Sequence, residues 1–114
     1  MRRGEVWLVN LEPTMGAEIS KIRPAVIVSR DTIGRLPLRV IVPITEWKDR
    51  YAQARWIVRL EPSVENGLNK LSAADTFQVR SVSEERLNRR LGRLADTQMQ
   101  QIDRALAVVL HIDP

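Results

Sequence analysis

The residues best suited to chemistry in this chain are polar side chains that stand where predicted strands begin or end. In the stretch "KIRPAVIVS", residues 21–29, Lys21 and Arg23 precede Pro24 and an apolar, β-branched run. Pro24 restricts the backbone of Arg23 to extended geometry, which reduces the entropy cost of aiming the guanidinium. A guanidinium suits chemistry on a phosphate because it donates two parallel hydrogen bonds and neutralises charge. The alternative is a solvated residue at a strand entrance.

Other polar residues fall at comparable places along the sequence. In a small barrel the strand ends and the loops beyond them share one rim, so positions distant in sequence converge there. We therefore predict a single site whose candidate members, with Lys21 and Arg23, are Glu18, Thr45, Gln78 and Arg80.

Several catalytic classes are excluded by residue types that the chain lacks. It has no cysteine, which excludes disulfides, a thiolate nucleophile and a cysteine zinc site. His111 is the only histidine, so a two-histidine ribonuclease mechanism and a histidine metal cluster are excluded, and His111 is predicted to be structural or exposed. Glycine-rich phosphate loops, HExxH and GxSxG are absent. No metal and no cofactor are expected.

The composition favours a small globular protein with a polyanionic partner. The 114 residues predict one domain, residues 1–114, and the net charge is +4. Fifteen of the eighteen basic residues are arginine, whose planar fork suits phosphate better than lysine does. No apolar run reaches the roughly 18 residues of a membrane span, and the N-terminus lacks the features of a signal peptide. We therefore expect a cytoplasmic location and no membrane.

The pattern of apolar residues predicts a mainly β chain with one helix. Strands are predicted at 4–13, 23–29, 38–44, 55–60, 71–82 and 89–94, with a central third strand and a helical turn at 83–87. A helix follows, with either a Thr97–Gln100 capping box or an Asp96 cap. Its apolar face is predicted to comprise Met99, Ile102, Leu106, Val109 and Leu110. The short connections favour a small, partly open antiparallel β-barrel closed by the C-terminal α-helix.

Three ordered motifs resemble the MazF/PemK family of endoribonuclease toxins of toxin–antitoxin systems. They are the opening RGEVW, the ExxxxRP segment that ends at Pro24, and the PIT that ends the third strand, followed by FQVRSVSEERLNRRLGRL and the helix. The resemblance spans nearly the whole chain. It implies an SH3-like barrel of the CcdB/MazF type with a C-terminal helix, a homodimer, and sequence-specific, metal-independent cleavage of single-stranded RNA by mRNA interferase chemistry.

The resemblance also implies roles for individual residues. Arg23 and Thr45 become the catalytic pair in a reaction where the 2′-hydroxyl attacks the adjacent phosphate and leaves 2′,3′-cyclic phosphate and 5′-hydroxyl ends. Glu18 is interpreted either as the base, a role that water or Arg23 itself could share, or as a residue that orients Lys21 or Arg23. Thr45 has a structural alternative too, as a cap on a turn after Pro43.

Further residues are assigned to RNA binding, each with a structural alternative. They are Ser20, Lys21, Trp47, Gln78 and Arg80; Trp47 either stacks on a base or covers a barrel end or dimer contact, whereas Trp7 and Trp56 are predicted to be core. Phe77 stands where several family members carry aspartate, which puts a mechanism through that aspartate in doubt. Asp75 lies two residues earlier, on the same face of the predicted strand.

Two other function classes compete with RNA cleavage. One is a CcdB-like toxin that binds DNA gyrase without catalysis, and the other is an SH3-like nucleic-acid-binding module. Arg23 and Thr45 would be required only for cleavage. For the cleaving toxin we expect single-stranded mRNA as substrate and a cognate antitoxin with an acidic segment that folds on binding.

Overall fold

The computed structural model describes residues 1–113, and its described part contains seven strands and one α-helix. The elements are β1 (Glu5–Asn10), β2 (Ile22–Ile27), β3 (Leu38–Glu46), β4 (Ile57–Leu60), β5 (Ser72–Asp75), β6 (Arg80–Ser83), β7 (Leu87–Arg93) and α1 (Asp96–Leu110). Short 3₁₀ turns lie at Asp49–Gln53, Thr76–Gln78 and Glu84–Arg86. The last of these corresponds to the helical turn that the sequence predicts.

All strand pairings are antiparallel, and β3 lies at the centre as predicted. The hydrogen-bonded path runs β4-β5-β3-β2-β1-β7 and does not close on itself, while β6 pairs with the first half of β3. The nine residues of β3 contact three partners in turn: residues 38–41 pair with β6, 41–43 with β2 and 44–46 with β5. The predicted fold, a mainly antiparallel β protein with a C-terminal helix, is confirmed, with a sheet that curls without closing.

One predicted strand is wrong. Residues 71–82 do not form a continuous strand, because the chain turns at Thr76–Gln78 between β5 and β6. The carboxylate of Asp75 accepts a hydrogen bond from the backbone N–H of Phe77, and both N–H and hydroxyl of Thr76 donate to the carbonyl of Trp56. A side-chain cap combined with a long-range contact therefore breaks a stretch whose alternation is typical of a strand.

The sheet carries apolar residues on both faces. Strand alternation separates them into two buried clusters. The inner cluster includes Val6, Val26, Val42, Ile44, Val58, Leu60 and Ala74, and Met99, Ile102 and Ala105 of α1 pack against it. The outer cluster is smaller and consists of Val9, Leu11, Ala25, Ile27, Ile41, Val82 and Leu87, with Ile19 and Trp7 packed at its edge. The outer cluster therefore lies under the β1–β2 loop that carries Glu18 and Lys21.

Neither predicted cap of the helix is correct. Helix α1 begins at Asp96, and the N-cap position is Ala95, which has no side-chain acceptor. Instead the side chain of Gln98 accepts a hydrogen bond from the N–H of Ala95 at 2.9 Å. Of the predicted apolar face, Met99 and Ile102 are buried and Leu110 is exposed. His111 ends the helix in a left-handed conformation and is exposed.

The loop after β4 packs closely against β7. Gly67 has φ +70°, and a Cβ built at this position would come within 2.2 Å of the carbonyl oxygen of Leu91. The Asn66-Gly67 turn signal therefore corresponds to a position that only glycine fits. Asn66 is buried, and its side-chain oxygen accepts hydrogen bonds from the N–H groups of Ser63 and Leu68. This loop forms one wall of the pocket described below. Within residues 1–113, no helix is both long and apolar enough to cross a membrane.

Candidate functional site

Arg23 and Thr45 lie on adjacent strands at one end of the sheet. The last register pair between β2 and β3 at this end is Ala25 with Pro43, and each candidate stands two residues beyond its member of that pair. Because strand side chains alternate, Arg23 and Thr45 belong to the same face as Ala25 and Pro43. Both residues are half-buried and line one pocket of about 500 Å³. The structure therefore brings the two predicted catalytic residues together.

The pocket is basic. Its lining includes Arg23, Lys70, Arg89 and Arg90, against a single acidic residue, Glu46. Lys70 lies 3.7 Å from the Glu46 carboxylate. The remaining excess of positive charge suits a phosphodiester better than a neutral ligand. In the described part of the chain, no group of three or more His, Cys, Asp or Glu side chains could hold a metal ion.

The guanidinium of Arg23 has few partners. Its Nε donates to the carbonyl of Ser20 at 3.4 Å, which is near the limit of a hydrogen bond, and it forms no ion pair with any residue of 1–113. No hydrogen bond within those residues uses its two terminal nitrogens. Those nitrogens are the ones that form a two-pronged contact with a phosphate. Ser20, a predicted RNA contact, meets Arg23 through its backbone carbonyl.

Thr45 lies inside β3, which continues to Glu46 instead of ending at residue 44. Its backbone pairs with Ala73 of β5. The structural alternative, a hydroxyl that caps a turn after Pro43, is therefore wrong, because no turn begins there. The hydroxyl forms no hydrogen bond with any residue of 1–113, so it is available as a donor or an acceptor.

Glu18 lies in a different pocket from Arg23 and Thr45. This second pocket, also of about 500 Å³, is lined by Ala17, Glu18, Ile19, Pro43, Phe77, Gln78, Val79 and Arg80. Glu18 is exposed, and its Oε1 accepts a hydrogen bond from the N–H of Met15 at 2.6 Å. It pairs with neither Lys21 nor Arg23 in the described chain. The interpretation of Glu18 as an orienter of these two residues finds no contact to support it.

Gln78 and Arg80 hold the β1–β2 loop. The side chain of Gln78 accepts a hydrogen bond from Ile19 N–H at 2.6 Å and donates to the Ala17 carbonyl at 3.3 Å. Arg80 donates to the Leu11 carbonyl at 3.2 Å. The structural hydrogen bonding weighed for both residues is therefore present. Lys21 is exposed at φ +70°, and its N–H donates to Glu12 Oε1.

Trp47 lies outside both pockets. It is half-buried, packs edge-on against Tyr51 at 5.9 Å between ring centroids, and lies 5.6 Å from the Arg59 guanidinium. Its backbone N–H donates to the Leu71 carbonyl. A contact with RNA remains a prediction for this residue, whereas its packing role is visible.

Two aromatic residues near the start of β4, Trp56 and Phe77, are exposed. Trp56 is 38% exposed, so its assignment to the core is wrong, because β4 begins only at Ile57 and the residue before it leaves the sheet. Phe77 is 70% exposed. Burial raises the pKa of Asp75, which outweighs the lowering by hydrogen bonds from Phe77 N–H and the Gln78 amide.

The sequence alone did not point to three basic members of the first pocket or to the acid behind them. Arg89 and Arg90 come from β7 and Lys70 from the loop before β5, and only the fold brings them to Arg23. Buried Glu5, part of the RGEVW motif, lies 3.4 Å from the Arg90 Nε. Burial alone would raise the pKa of Glu5. Hydrogen bonds from Arg2 N–H and the Trp7 indole, with the N-terminal ammonium and the Arg90 guanidinium, together lower it.

The fold and the basic pocket define the class of protein. The fold is shared by an endoribonuclease in complex with its cognate antitoxin from a mycobacterial species, with a TM-score of 0.79, 21% identity, and coverage of 100% of this chain and 98% of that one. It is shared as well by MazF from Deinococcus radiodurans, with a TM-score of 0.80, 19% identity, and coverage of 98% and 97%. These similarities show that the chain has the same fold as these two proteins.

Sequence comparison gives the family. A model described as PemK-like, MazF-like toxin of type II toxin–antitoxin system matches residues 2–110. The chain is also 36% identical, over 99% of its length and 97% of the relative's, to the endoribonuclease MazF9 of Mycobacterium tuberculosis. The chain belongs to the PemK-like, MazF-like family of toxins of type II toxin–antitoxin systems. The resemblance inferred from the three sequence motifs is confirmed.

Proposed function

We propose that this chain is a metal-independent, sequence-specific endoribonuclease, the toxin of a type II toxin–antitoxin system. The observation that supports it best is the meeting of Arg23, with its free terminal nitrogens, and Thr45, with its free hydroxyl, in one basic pocket. The 36% identity to an endoribonuclease adds to this argument. The gyrase-binding and plain binding-module alternatives require neither residue.

In the proposed reaction the 2′-oxygen of one ribose attacks the adjacent phosphorus. The P–O5′ bond breaks, the 2′-hydroxyl proton passes to a base, and the departing 5′-oxygen takes up a proton from water. Negative charge grows on the nonbridging oxygens as the pentacoordinate phosphorane forms. The Arg23 guanidinium donates two hydrogen bonds to those oxygens and Thr45 donates one more, so both contacts strengthen toward the transition state.

We propose Glu18 as the base. It lies in the pocket next to the Arg23–Thr45 pocket, and Pro43, which is two residues from Thr45, lines the same pocket as Glu18. The β1–β2 loop has to bring the carboxylate closer to the ribose, or one water has to relay the proton. Catalytic hydrogen bonds of free enzymes commonly shorten only when substrate binds.

The basic pocket supports proposals for the substrate and the partner. We propose single-stranded mRNA as the substrate and an antitoxin whose acidic segment occupies the basic groove. We also propose a cytoplasmic location and a homodimer, whose paired grooves bury more of an extended strand. The similarity of the fold to an endoribonuclease solved in complex with its cognate antitoxin is consistent with the proposed antitoxin. Light scattering of the protein alone, and after addition of an acidic partner, measures both assemblies.

The test of the function is a single incubation of purified protein with a long mixed-sequence RNA in EDTA. We expect cuts at one short sequence motif, with 2′,3′-cyclic phosphate and 5′-hydroxyl ends. A gyrase-supercoiling assay run in parallel distinguishes the CcdB-like alternative. Intact RNA together with inhibited gyrase would replace the endoribonuclease proposal by that alternative.

A further inference from the structure

Two exposed aromatic residues lie side by side next to the second pocket. Trp56 is 38% exposed and Phe77 70% exposed, and their rings meet edge to face with 6.2 Å between centroids. Phe77 lines the pocket that also contains Glu18. An exposed aromatic ring beside a pocket on a basic protein suits a ligand with a flat, apolar face.

The backbone under these rings is fixed. Thr76 is fully buried and donates both its N–H, at 3.1 Å, and its hydroxyl, at 2.5 Å, to the Trp56 carbonyl. Asp75 accepts from the Phe77 N–H at 3.1 Å. These contacts join the turn Thr76–Gln78 to the residue before β4, so Phe77 is held outward by its neighbours. Little conformational entropy is then lost when a ligand packs on the ring.

The rest of the pocket offers polar groups of both kinds. Glu18 Oε2 accepts no hydrogen bond within residues 1–113, and of the Arg80 nitrogens only Nη1 donates, to Leu11. One acceptor and several donors therefore lie in the same pocket as the ring of Phe77. That combination matches a nucleobase, which has a π-face and a mixed edge of donors and acceptors.

We propose that the pocket beside Phe77 is a nucleobase subsite, in which a base next to the cleaved phosphodiester stacks on Phe77 with Trp56 as its support. This inference rests on the proposed function and deepens it. The subsite adjoins the reacting phosphate because Pro43 lines it and Thr45 lies two residues further along β3 on the same face, roughly 6.7 Å away.

Charge favours RNA over a protein side chain as the occupant. Arg55 is exposed beside Trp56 and, within residues 1–113, forms no ion pair. Arg80 contributes a second positive charge. A single nucleotide brings both a phosphate for such groups and a base for Phe77, whereas a protein partner would need an acidic residue and an apolar residue placed together.

The experiment uses single-stranded RNA carrying 2-aminopurine, whose fluorescence falls on stacking, and 2′-O-methyl riboses, which lack the attacking hydroxyl. Binding is measured for wild type, Phe77→Ala, Phe77→Leu and Phe77→Trp, with Val64→Ala, an exposed loop position at 95%, as the matched control. We expect quenching and affinity to be retained with tryptophan and the control. Alanine and leucine should each weaken binding about tenfold and raise KM for unmodified RNA equally, with kcat within about twofold.

Three outcomes would contradict the subsite. Equal RNA affinity of Phe77→Leu and wild type would mean that stacking is not involved. Conversion of a dimer to a monomer by Phe77→Ala would assign the rings to a second copy of the chain. Unchanged RNA binding with weaker binding of an acidic partner protein would assign them to that partner. A wild type that cuts no RNA, yet shows the expected quenching series, would reject the proposed function and leave the subsite standing.

Discussion

Arginine side chains in two neighbouring regions of this protein differ in the hydrogen bonds that they make to the protein. In the β1–β2 loop region, Arg80 and Arg86 donate to backbone carbonyls, Arg80 to Leu11 at 3.2 Å and Arg86 to Asn10 at 3.2 Å and to Glu12. At the first pocket, Arg23 has one contact at 3.4 Å and two terminal nitrogens without protein partners in the described chain. The difference separates side chains that hold the fold from a side chain that is available to a substrate.

The contrast extends to the polar residues around each region. Gln78 makes three contacts, two with Ile19 and Ala17 of the loop and one with Asp75 at the end of β5. The Thr45 hydroxyl has none within residues 1–113. An N–H or O–H that already donates to the protein is available to a substrate only if that bond is given up. Uncommitted polar groups in a basic pocket are therefore the better candidates for catalysis.

The largest effect that tests this contrast is expected from Arg23→Ala. Loss of the guanidinium removes charge neutralisation that grows toward the transition state, so cleavage should fall roughly a hundredfold to a thousandfold. RNA affinity should fall far less, because the lost interaction is strongest in the transition state. Arg23→Lys should recover little, since an ammonium cannot make the two-pronged contact. Gel-resolved cleavage rates, RNA-binding affinities and thermal melts measure all three.

The matched control for Arg23→Ala is Arg86→Ala. It removes hydrogen bonds to two loop carbonyls, so the free energy of unfolding should fall by about 1 kcal/mol. The melting temperature should fall by about 4 °C and most cleavage should remain. If Arg23→Ala instead lowered the melting temperature and left the rate near normal, the two arginines would have exchanged roles and the catalytic assignment would be wrong.

The sequence predicts those parts of the fold and the site that depend on interactions between residues close together in the chain. β3 and the helix follow from local patterns, and Arg23 and Thr45 from their motifs, because proline and strand alternation act over a few residues. The break at Thr76–Gln78 depends on Thr76 reaching the Trp56 carbonyl twenty residues away, so an alternating pattern concealed it. The prediction that Trp56 is core is wrong for a related reason, because alternation alone does not show where β4 begins.

The site shows the same limit. Lys70, Arg89 and Arg90 join Arg23 only because β1 pairs with both β2 and β7 and because the loop at Gly67 packs on β7. The RGEVW motif is recognisable in the sequence, but the sequence does not show why the motif contains Glu5. In the structure, Glu5 accepts from Arg2 N–H at 2.9 Å and from the Trp7 indole at 3.0 Å, and lies 3.4 Å from Arg90 Nε. A buried carboxylate of this kind needs its partners, and only the fold supplies Arg90.

The second effect in size is expected from Glu18→Gln. Loss of a general base typically costs about a hundredfold or more, and the dependence of the cleavage rate on pH should change with it. Pre-steady-state cleavage measured from pH 5 to 9 for wild type and variant gives both quantities. A loss smaller than about tenfold, with the pH profile of wild type, would assign the proton to water instead. Glu18 would then join Gln78 among the residues that shape the loop and the second pocket.

The smallest effect is expected from Thr45→Ala, which removes one neutral donor from the same pocket. A hydrogen bond from a neutral hydroxyl to a charged oxygen contributes about 1.5 to 3 kcal/mol, so cleavage should fall roughly tenfold to a hundredfold, below the loss at Arg23. Thr45→Ser keeps the hydroxyl and should restore most of the rate, whereas Thr45→Val keeps the shape and should not. Because Thr45 pairs with Ala73 through its backbone alone, the three variants should melt within a few degrees of wild type. Equal rates for serine and valine would show that the hydroxyl is not used, and the pocket would then act through its arginines alone.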